Sequence, residues 1–194
     1  MAETLLNIIS YDLIDEIYVV AHPDYIDQTN EVIDLHVPYQ ISGVIPGGET
    51  RHESVANALG YFEEKEEDGN ALIAIFDGDR PGVSMRIIEE NFREAEIYGA
   101  AVTAMRSTDS VFLSSNAEMV DEYLDRNTVY LAQTPQTFRL SLILKAYQLD
   151  AIGTDDASLV ASLGERVQIV EGEALNVKIT YPEDLESYLS RRRS

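Results

Sequence analysis

The feature that most constrains this chain is its alternation of short β-branched runs with stretches of helical periodicity. Residues 16–20 (EIYVV), 41–45, 71–76 (ALIAIF), 100–105, 129–132 and 167–170 are apolar runs of strand length. Continuous apolar character over so few residues suits strands buried on both faces. Between them, residues 51–63 carry Val55, Ala58, Leu59 and Phe62 at helical spacing. Residues 84–98 do the same with Ile87, Ile88, Phe92 and Ala95. Further helices are expected over 24–34, 140–149, 155–163 and 182–190, the last with Pro182 at its first turn. Such alternation predicts an α/β fold, a mostly parallel sheet with helices on both faces.

The pattern breaks at residues 106–126, which are polar and hold Ser114, Ser115 and Asn116 at an expected turn. The stretch is too long for a simple connection, so a protruding hairpin arm is the economical reading. No repeat, linker or low-complexity segment divides the rest, and one domain over residues 1–194 is expected, with the arm attached. The acidic run at 63–68 (EEKEED) reads as a solvated helix end.

Composition narrows the function. With 35 acidic residues against 14 bases, the net charge is −21, which repels nucleic acid and anionic membrane. The absence of cysteine excludes disulfides, a thiolate nucleophile and cysteine metal sites. No apolar run approaches the ~18 residues of a membrane span, and no signal peptide opens the chain, so a cytoplasmic location is expected. The bases are uneven: Met1 to Thr50 contains no Lys or Arg, and Arg191, Arg192 and Arg193 read as a helix end. A polyanionic ligand must therefore be held by the bases between Arg51 and Lys178.

Four polar clusters follow strands, the edge of an open α/β sheet at which ligands bind. Gly47-Gly48-Glu49-Thr50-Arg51-His52-Glu53-Ser54 joins a strand to a helix. Its glycines allow close backbone approach to a ligand, and the helix start offers free N–H groups; on spacing alone it is equally a turn with a helix cap. Phe76-Asp77-Gly78-Asp79-Arg80-Pro81 places two carboxylates and an Arg after a buried strand, a pattern that holds Mg²⁺ and phosphate or simply forms an Asp–Arg surface pair. Arg126-Asn127, with Gln133-Thr134-Pro135-Gln136 beyond, offers amides and a hydroxyl to a polyol, or is a polar loop. Residues 176–184 place Lys178, one of three lysines in the chain, on an expected short strand, where an edge lysine is the alternative. Asp155-Asp156 reads as a helix cap whose carboxylates could also line the site. His22, His36 and His52 share no metal spacing.

Taken in order, GGETRHESV, FDGDRP, GAAV, DRN with QTPQTF, TDDASLV and NVKITYPEDL resemble the family of 2-C-methyl-D-erythritol 4-phosphate cytidylyltransferase and its relative, ribitol-5-phosphate cytidylyltransferase. The resemblance runs from near Leu5 to about Leu189. It implies a Rossmann-like α/β fold whose arm interlocks with a second subunit, giving a homodimer. It also implies attack of a polyol phosphate on the α-phosphorus of CTP, with Mg²⁺ present and pyrophosphate released. Residue by residue, it implies that Gly48, Glu49 and Ser54 meet the cytosine, and that Asp77 lies near the ribose and the metal. Arg80 and Lys178 correspond to positions near the phosphates and the substrate, and with Asp77 form the implied catalytic group. Asp109 and Ser110 sit where the family carries Asp-Thr on the arm; Arg126 and Thr134 correspond to positions that hold the polyol phosphate, partly across the dimer. Gln136 belongs to the motif without an assigned contact.

The departures matter as well. The family opens with a strand and a Gly-rich loop bearing an Arg and a Lys, whereas this sequence starts at the helix that follows such a loop. Asp79 replaces a usually small residue. Phe112 stands where the erythritol-phosphate branch tends to have Lys, which leans toward the ribitol-phosphate branch, an activity of teichoic acid biosynthesis rather than isoprenoid biosynthesis. Two readings result: a cytidylyltransferase acting on one of these polyol phosphates, or a truncated paralogue that retains the scaffold and acts by binding.

Overall fold

A computed structural model describes residues 1–12, 14–38, 40–65, 69–149 and 153–192. The acidic run at 63–68 and the terminal arginines therefore lie partly outside the described residues. In chain order the elements are α1 (Ala2–Ile9), β1 (Tyr18–Ala21), α2 (Ile26–His36), β2 (Gly43–Pro46), α3 (Arg51–Lys65), β3 (Leu72–Ile75), α4 (Met85–Tyr98) and β4 (Ala100–Arg106). They continue with β5 (Val111–Leu113), β6 (Glu122–Leu124), β7 (Tyr130–Arg139), α5 (Leu140–Gln148), α6 (Asp156–Ser162), β8 (Gln168–Glu171) and α7 (Pro182–Arg192). The expected α/β alternation is present, and residues 106–126 contain the expected hairpin, β5 paired antiparallel with β6.

The sheet is mixed rather than mostly parallel. β1 and β2 form a parallel pair, and a separate four-stranded sheet has the order β3-β7-β4-β8. β7 is antiparallel to both β3 and β4, while β8 is parallel to β4. The cause lies in the connections. Two parallel strands of one sheet need a crossover, which α4 supplies between β3 and β4, leaving between them the gap that β7 fills. β7 instead returns directly from the arm, so it must run against the strand that led out. The sequence reading ended this strand at residue 132 and placed a loop around Pro135, whereas β7 continues to Arg139.

Helix α4 shows how local sequence sets an element. The Ser84 hydroxyl oxygen accepts from Ile87 N at its start, and Gly99 ends it at φ +86°, a left-handed conformation that costs glycine little. Ile87, Ile88 and Ala95 are fully buried, with Phe92 packed at their margin. Burying each isoleucine contributes about 1.5–3 kcal/mol. On the other side of the sheet, Phe138, Leu140, Ile143, Leu159 and Val160 form the main core with Leu59.

The two sheets share no ladder among the described residues. Between the edges of β1 and β3 lies a cavity of about 1100 Å³. Leu5 and Ile8 of α1, Val19, Leu59 and Ile73 contribute to its largely apolar wall, and Asp77, Asp79 and Lys178 stand at its polar end.

Candidate active site

The polar site is built where β3 ends. Its next residues turn at Asp77, whose N–H donates to the Thr134 hydroxyl at 3.0 Å, tying the turn to the neighbouring β7. The loop that follows is held from several sides. Thr4 and Asn7 of α1 donate to the carbonyls of Gly78 and Pro81, at 2.9 and 2.7 Å. The Tyr188 hydroxyl of α7 donates to the Pro81 carbonyl at 3.1 Å. Ile179 N donates to the Asp79 carbonyl at 2.9 Å. Gly82 permits the closest approach: a Cβ there would lie 1.9 Å from the Leu175 carbonyl oxygen. The loop bearing Arg80 and the segment bearing Lys178 are therefore packed backbone to backbone.

Lys178 is not on a strand. Residues 177–180 are irregular, correcting the sequence reading. The segment is shaped by polar bonds rather than by a ladder. Fully buried Asn176 donates to the Thr134 carbonyl at 2.8 Å and to the Gln133 side chain at 3.1 Å.

Three cations converge on one carboxylate. Arg80 Nε lies 3.0 Å from Asp77 Oδ2, Lys178 Nζ 3.5 Å from the same oxygen, and Arg51 Nε 3.7 Å from Oδ1. Arg80 is also fixed by donating from Nη1 to the Asn176 carbonyl at 2.9 Å. Lys178 is 3.8 Å from Asp79. Arg51, Arg80 and Lys178 are paired here with Asp77, Asp79 and Asp156, so the corner gathers cations in a strongly acidic chain while its charges balance. A smaller cavity of about 150 Å³ opens here, lined by Arg51, Asp77, Arg80, Thr134, Asp155 and Lys178 among others.

Asp77, Arg80, Lys178 and Thr134 are thus brought together in one corner. The Gly-rich segment behaves differently. Thr50 and Glu53 cap α3 reciprocally, each side chain accepting from the other's N–H at 3.1 Å. Ser54 Oγ accepts from Gly48 N at 3.1 Å and donates to the Thr50 carbonyl at 2.9 Å. Gly47 N is tied to the Ala21 carbonyl at the end of β1. Glu49 is exposed, 3.8 Å from His22. Gly48, Glu49 and Ser54 line neither cavity. Asp109, Ser110 and Arg126 belong to the arm, where Arg126 Nη1 reaches back to the Thr108 carbonyl at 3.5 Å, and they too stand outside both cavities.

Sequence reasoning missed Arg51. Its guanidinium forks onto Asp156, with Nη1–Oδ1 at 3.1 Å and Nη2–Oδ2 at 2.6 Å. Burial pulls the Arg51 pKa down, but the paired Asp156 carboxylate more than offsets this, so it lies above its ordinary value. Burial, and then the charge of Asp156, push the Tyr147 phenol well up, so its hydroxyl stays a donor to Asp156 Oδ1 at 2.5 Å. Two signals were available: Arg51 is the first base in the chain, and it stands inside the Gly-rich segment Gly47–Ser54. Gln136 now has a contact: its amide donates to Asp155 Oδ2 at 2.8 Å and accepts from Ala157 N at 2.9 Å, pinning the start of α6 to β7.

The profile of the IspD family, 2-C-methyl-D-erythritol 4-phosphate cytidylyltransferase, matches residues 1–190. The chain is similar to the protein of that name from Syntrophus aciditrophicus, at 38% identity over 98% of this chain and 83% of the relative. It is 40% identical to the one from Geobacillus kaustophilus over 75% of this chain and 63% of the relative. Among solved structures, 4-diphosphocytidyl-2C-methyl-D-erythritol synthase from Anaerococcus prevotii superimposes with a TM-score of 0.86 at 28% identity, covering 100% of this chain and 85% of that one. These relatives carry the erythritol name, so neither the lean toward ribitol phosphate drawn from Phe112 nor the inactive-paralogue reading gains support; Phe112 instead packs edge-on against Tyr123 within the arm, 5.8 Å between ring centres. With the profile match over nearly its whole length, the chain belongs to the 2-C-methyl-D-erythritol 4-phosphate cytidylyltransferase family, a nucleotidyltransferase family of isoprenoid biosynthesis.

Proposed function

We propose that this protein transfers CMP from CTP to 2-C-methyl-D-erythritol 4-phosphate and releases pyrophosphate. The observation that carries the reading is the convergence of Arg51, Arg80 and Lys178 on Asp77 in a polar cleft. In this reaction an oxygen of the acceptor phosphate bonds to the α-phosphorus of CTP. The bond from that phosphorus to the bridging oxygen breaks, and its electron pair leaves with pyrophosphate. A phosphate monoester is largely ionised at neutral pH, its second pKa being about 6, so the nucleophile needs no general base. The protein's work is then positioning and charge neutralisation. Arg80 and Lys178 face the phosphates from two loops locked together at Gly82, and Arg51 faces them from the start of α3.

Mg²⁺ fits the oxygen donors present. Asp79 Oδ1 is buried without a hydrogen-bond partner beside Asp77, and carboxylate and phosphate oxygens are the ligands this ion takes. No cluster of three potential ligands occurs among the described residues, so Asp77 would hold the ion jointly with nucleotide phosphates. Bound there, Mg²⁺ would supply neutralisation of phosphate charge. Family resemblance, rather than the cavities of the single chain, is what supports assigning Gly48, Glu49 and Ser54 to the cytosine, and Asp109, Ser110, Arg126 and Thr134 to the polyol phosphate.

The arm residues lie outside both cavities, which favours a homodimer in which the arm of one subunit completes the site of the other. Exposed Phe112, Leu113, Met119 and Tyr123 give that arm an apolar surface to bury. Light scattering is expected to give twice the 21.7 kDa chain mass. The activity itself is tested by pyrophosphate release with CTP, Mg²⁺ and the erythritol phosphate, using Arg80→Ala as control. Release that the variant loses supports the reading; silence from the folded dimer overturns it.

A further inference from the structure

We propose that Asp156 is a positioning residue for this reaction, setting Arg51 as the third phosphate-facing cation. The inference rests on the transfer reading above and deepens it. Asp156 is fully buried, at the first turn of α6, 105 residues from its partner. Each of its oxygens accepts one guanidinium N–H, so the fork fixes the plane of the Arg51 head group as well as its place. Tyr147 donates to Asp156 Oδ1 and is itself covered by the His52 ring, 4.5 Å away and within 14° of parallel. With both Nη groups turned onto Asp156, Nε is the edge directed at Asp77.

The support behind Asp156 is equally specific. Asp155 caps α6 with a reciprocal bond to Ser158, and Gln136 on β7 grips both Asp155 and Ala157 N. β7 also carries Thr134, whose hydroxyl holds the Asp77 N–H. One strand therefore sets both the acid at the centre of the cation cluster and the acid that aims its third member. Arg51 lines both cavities and its Nε faces Asp77, placements that a brace between α3 and α6 alone does not require.

The test combines variants with a readout that a brace would not move. Asp156→Asn keeps the size but offers a single acceptor oxygen, and Arg51→Lys keeps charge without the fork. In each, kcat/KM is expected to fall on the order of 10- to 100-fold, the scale of a slightly misplaced group. Arg51→Ala combined with Asp156→Asn is expected to be no worse than Arg51→Ala alone, because Asp156 acts through Arg51. Binding of CTP to the same proteins is followed by calorimetry, and thermal melting is recorded for each. Weaker CTP binding in both single variants that does not accumulate in the double variant supports the proposal, even if the wild type transfers nothing and the transfer reading falls. Additive losses, or melting temperatures that drop while CTP binding and kcat/KM hold, overturn it. Should Asp156→Asn fail to fold, Arg51→Lys against Arg51→Ala decides: equal loss supports the fork, and full rescue by Lys overturns it.

Discussion

Apart from the β5–β6 hairpin of the arm, the described residues form two sheets, and they end in different states. At the centre of the four-stranded sheet the apolar pattern is fulfilled: Ala100 and Ala101 of β4, Phe138 of β7 and their helical neighbours are sealed from solvent, while β3 at its edge is half-buried. In the two-stranded sheet, β1 is no less β-branched, yet its residues are half-buried or exposed and its outer edge faces the large cavity. The cluster beneath it has three buried members, Leu5, Ile33 and Val37, against ten around Phe138. Apolar character gives a strand something to gain by burial, but the gain is realised only where neighbours close over it on both faces. The two cations Arg80 and Lys178 follow the better-packed side, since both stand on segments braced against β7 through Thr134 and Asn176.

A matched pair of substitutions gives the largest test of that contrast. Phe138→Ala removes a fully buried ring from the main core and is expected to cost about 3–5 kcal/mol in denaturant unfolding. Val44→Ala, on half-buried β2, is expected to cost about 1 kcal/mol. Equal losses would show that the two sheets share one core in solution. A smaller stability effect but a clear catalytic one is expected from Gly82→Ala. A methyl cannot sit 1.9 Å from the Leu175 oxygen, so the loops carrying Arg80 and Lys178 must separate. We expect kcat/KM to fall on the order of 100-fold. Unchanged kinetics would mean that this brace does not set the cations.

The same contrast explains what the sequence made legible. Strand–helix alternation gave the α/β class, and the polar interruption gave the arm, because both depend on local periodicity. β7 defeated that reading. Pro135 normally demotes a strand, and Gln133, Thr134, Gln136 and Thr137 read as surface although all are buried. Gln133, Thr134 and Gln136 are buried because they serve as hydrogen-bond partners for Asn176, Asp77 and α6, which no local pattern reveals, whereas the Thr137 hydroxyl is buried without a partner. The site was half legible for a related reason. Asp77 and Arg80 are neighbours in sequence, so their pairing was visible as a motif; Lys178 was visible as a residue but was given to a strand, since its segment is held by Asn176 and Asp79 rather than by a ladder. Arg51 meets Asp156 only after the chain has folded across 105 positions. The mixed sheet, too, follows from how the arm returns, which composition does not encode.

The smallest expected effect probes the exposed rim of the weaker side. Lys65 at the end of α3 pairs with Glu16, just before β1, and donates to the Tyr18 hydroxyl at 3.2 Å. The hydrogen bond to Glu16, then that to Tyr18, raises the Lys65 pKa, and the same bond to Lys65 lowers that of Glu16. A raised lysine stabilises the fold below its ordinary range and loses this as pH climbs through the raised value; a lowered carboxylate stabilises above its ordinary range and loses this as pH falls through the lowered one. The pair therefore contributes across the neutral window and fades at both ends. Lys65→Met should lower the melting temperature slightly at neutral pH and low salt. The difference should close in acid, once Glu16 is protonated, and at 1 M salt, where charges are screened beyond about 3 Å. A shift that ignores both pH and salt would assign the contact to packing of the lysine stem over the Tyr18 ring, whose centre lies 5.5 Å from the amine. The edge of the two-stranded sheet would then be held by apolar cover after all, and its difference from the four-stranded sheet would be one of extent rather than of kind.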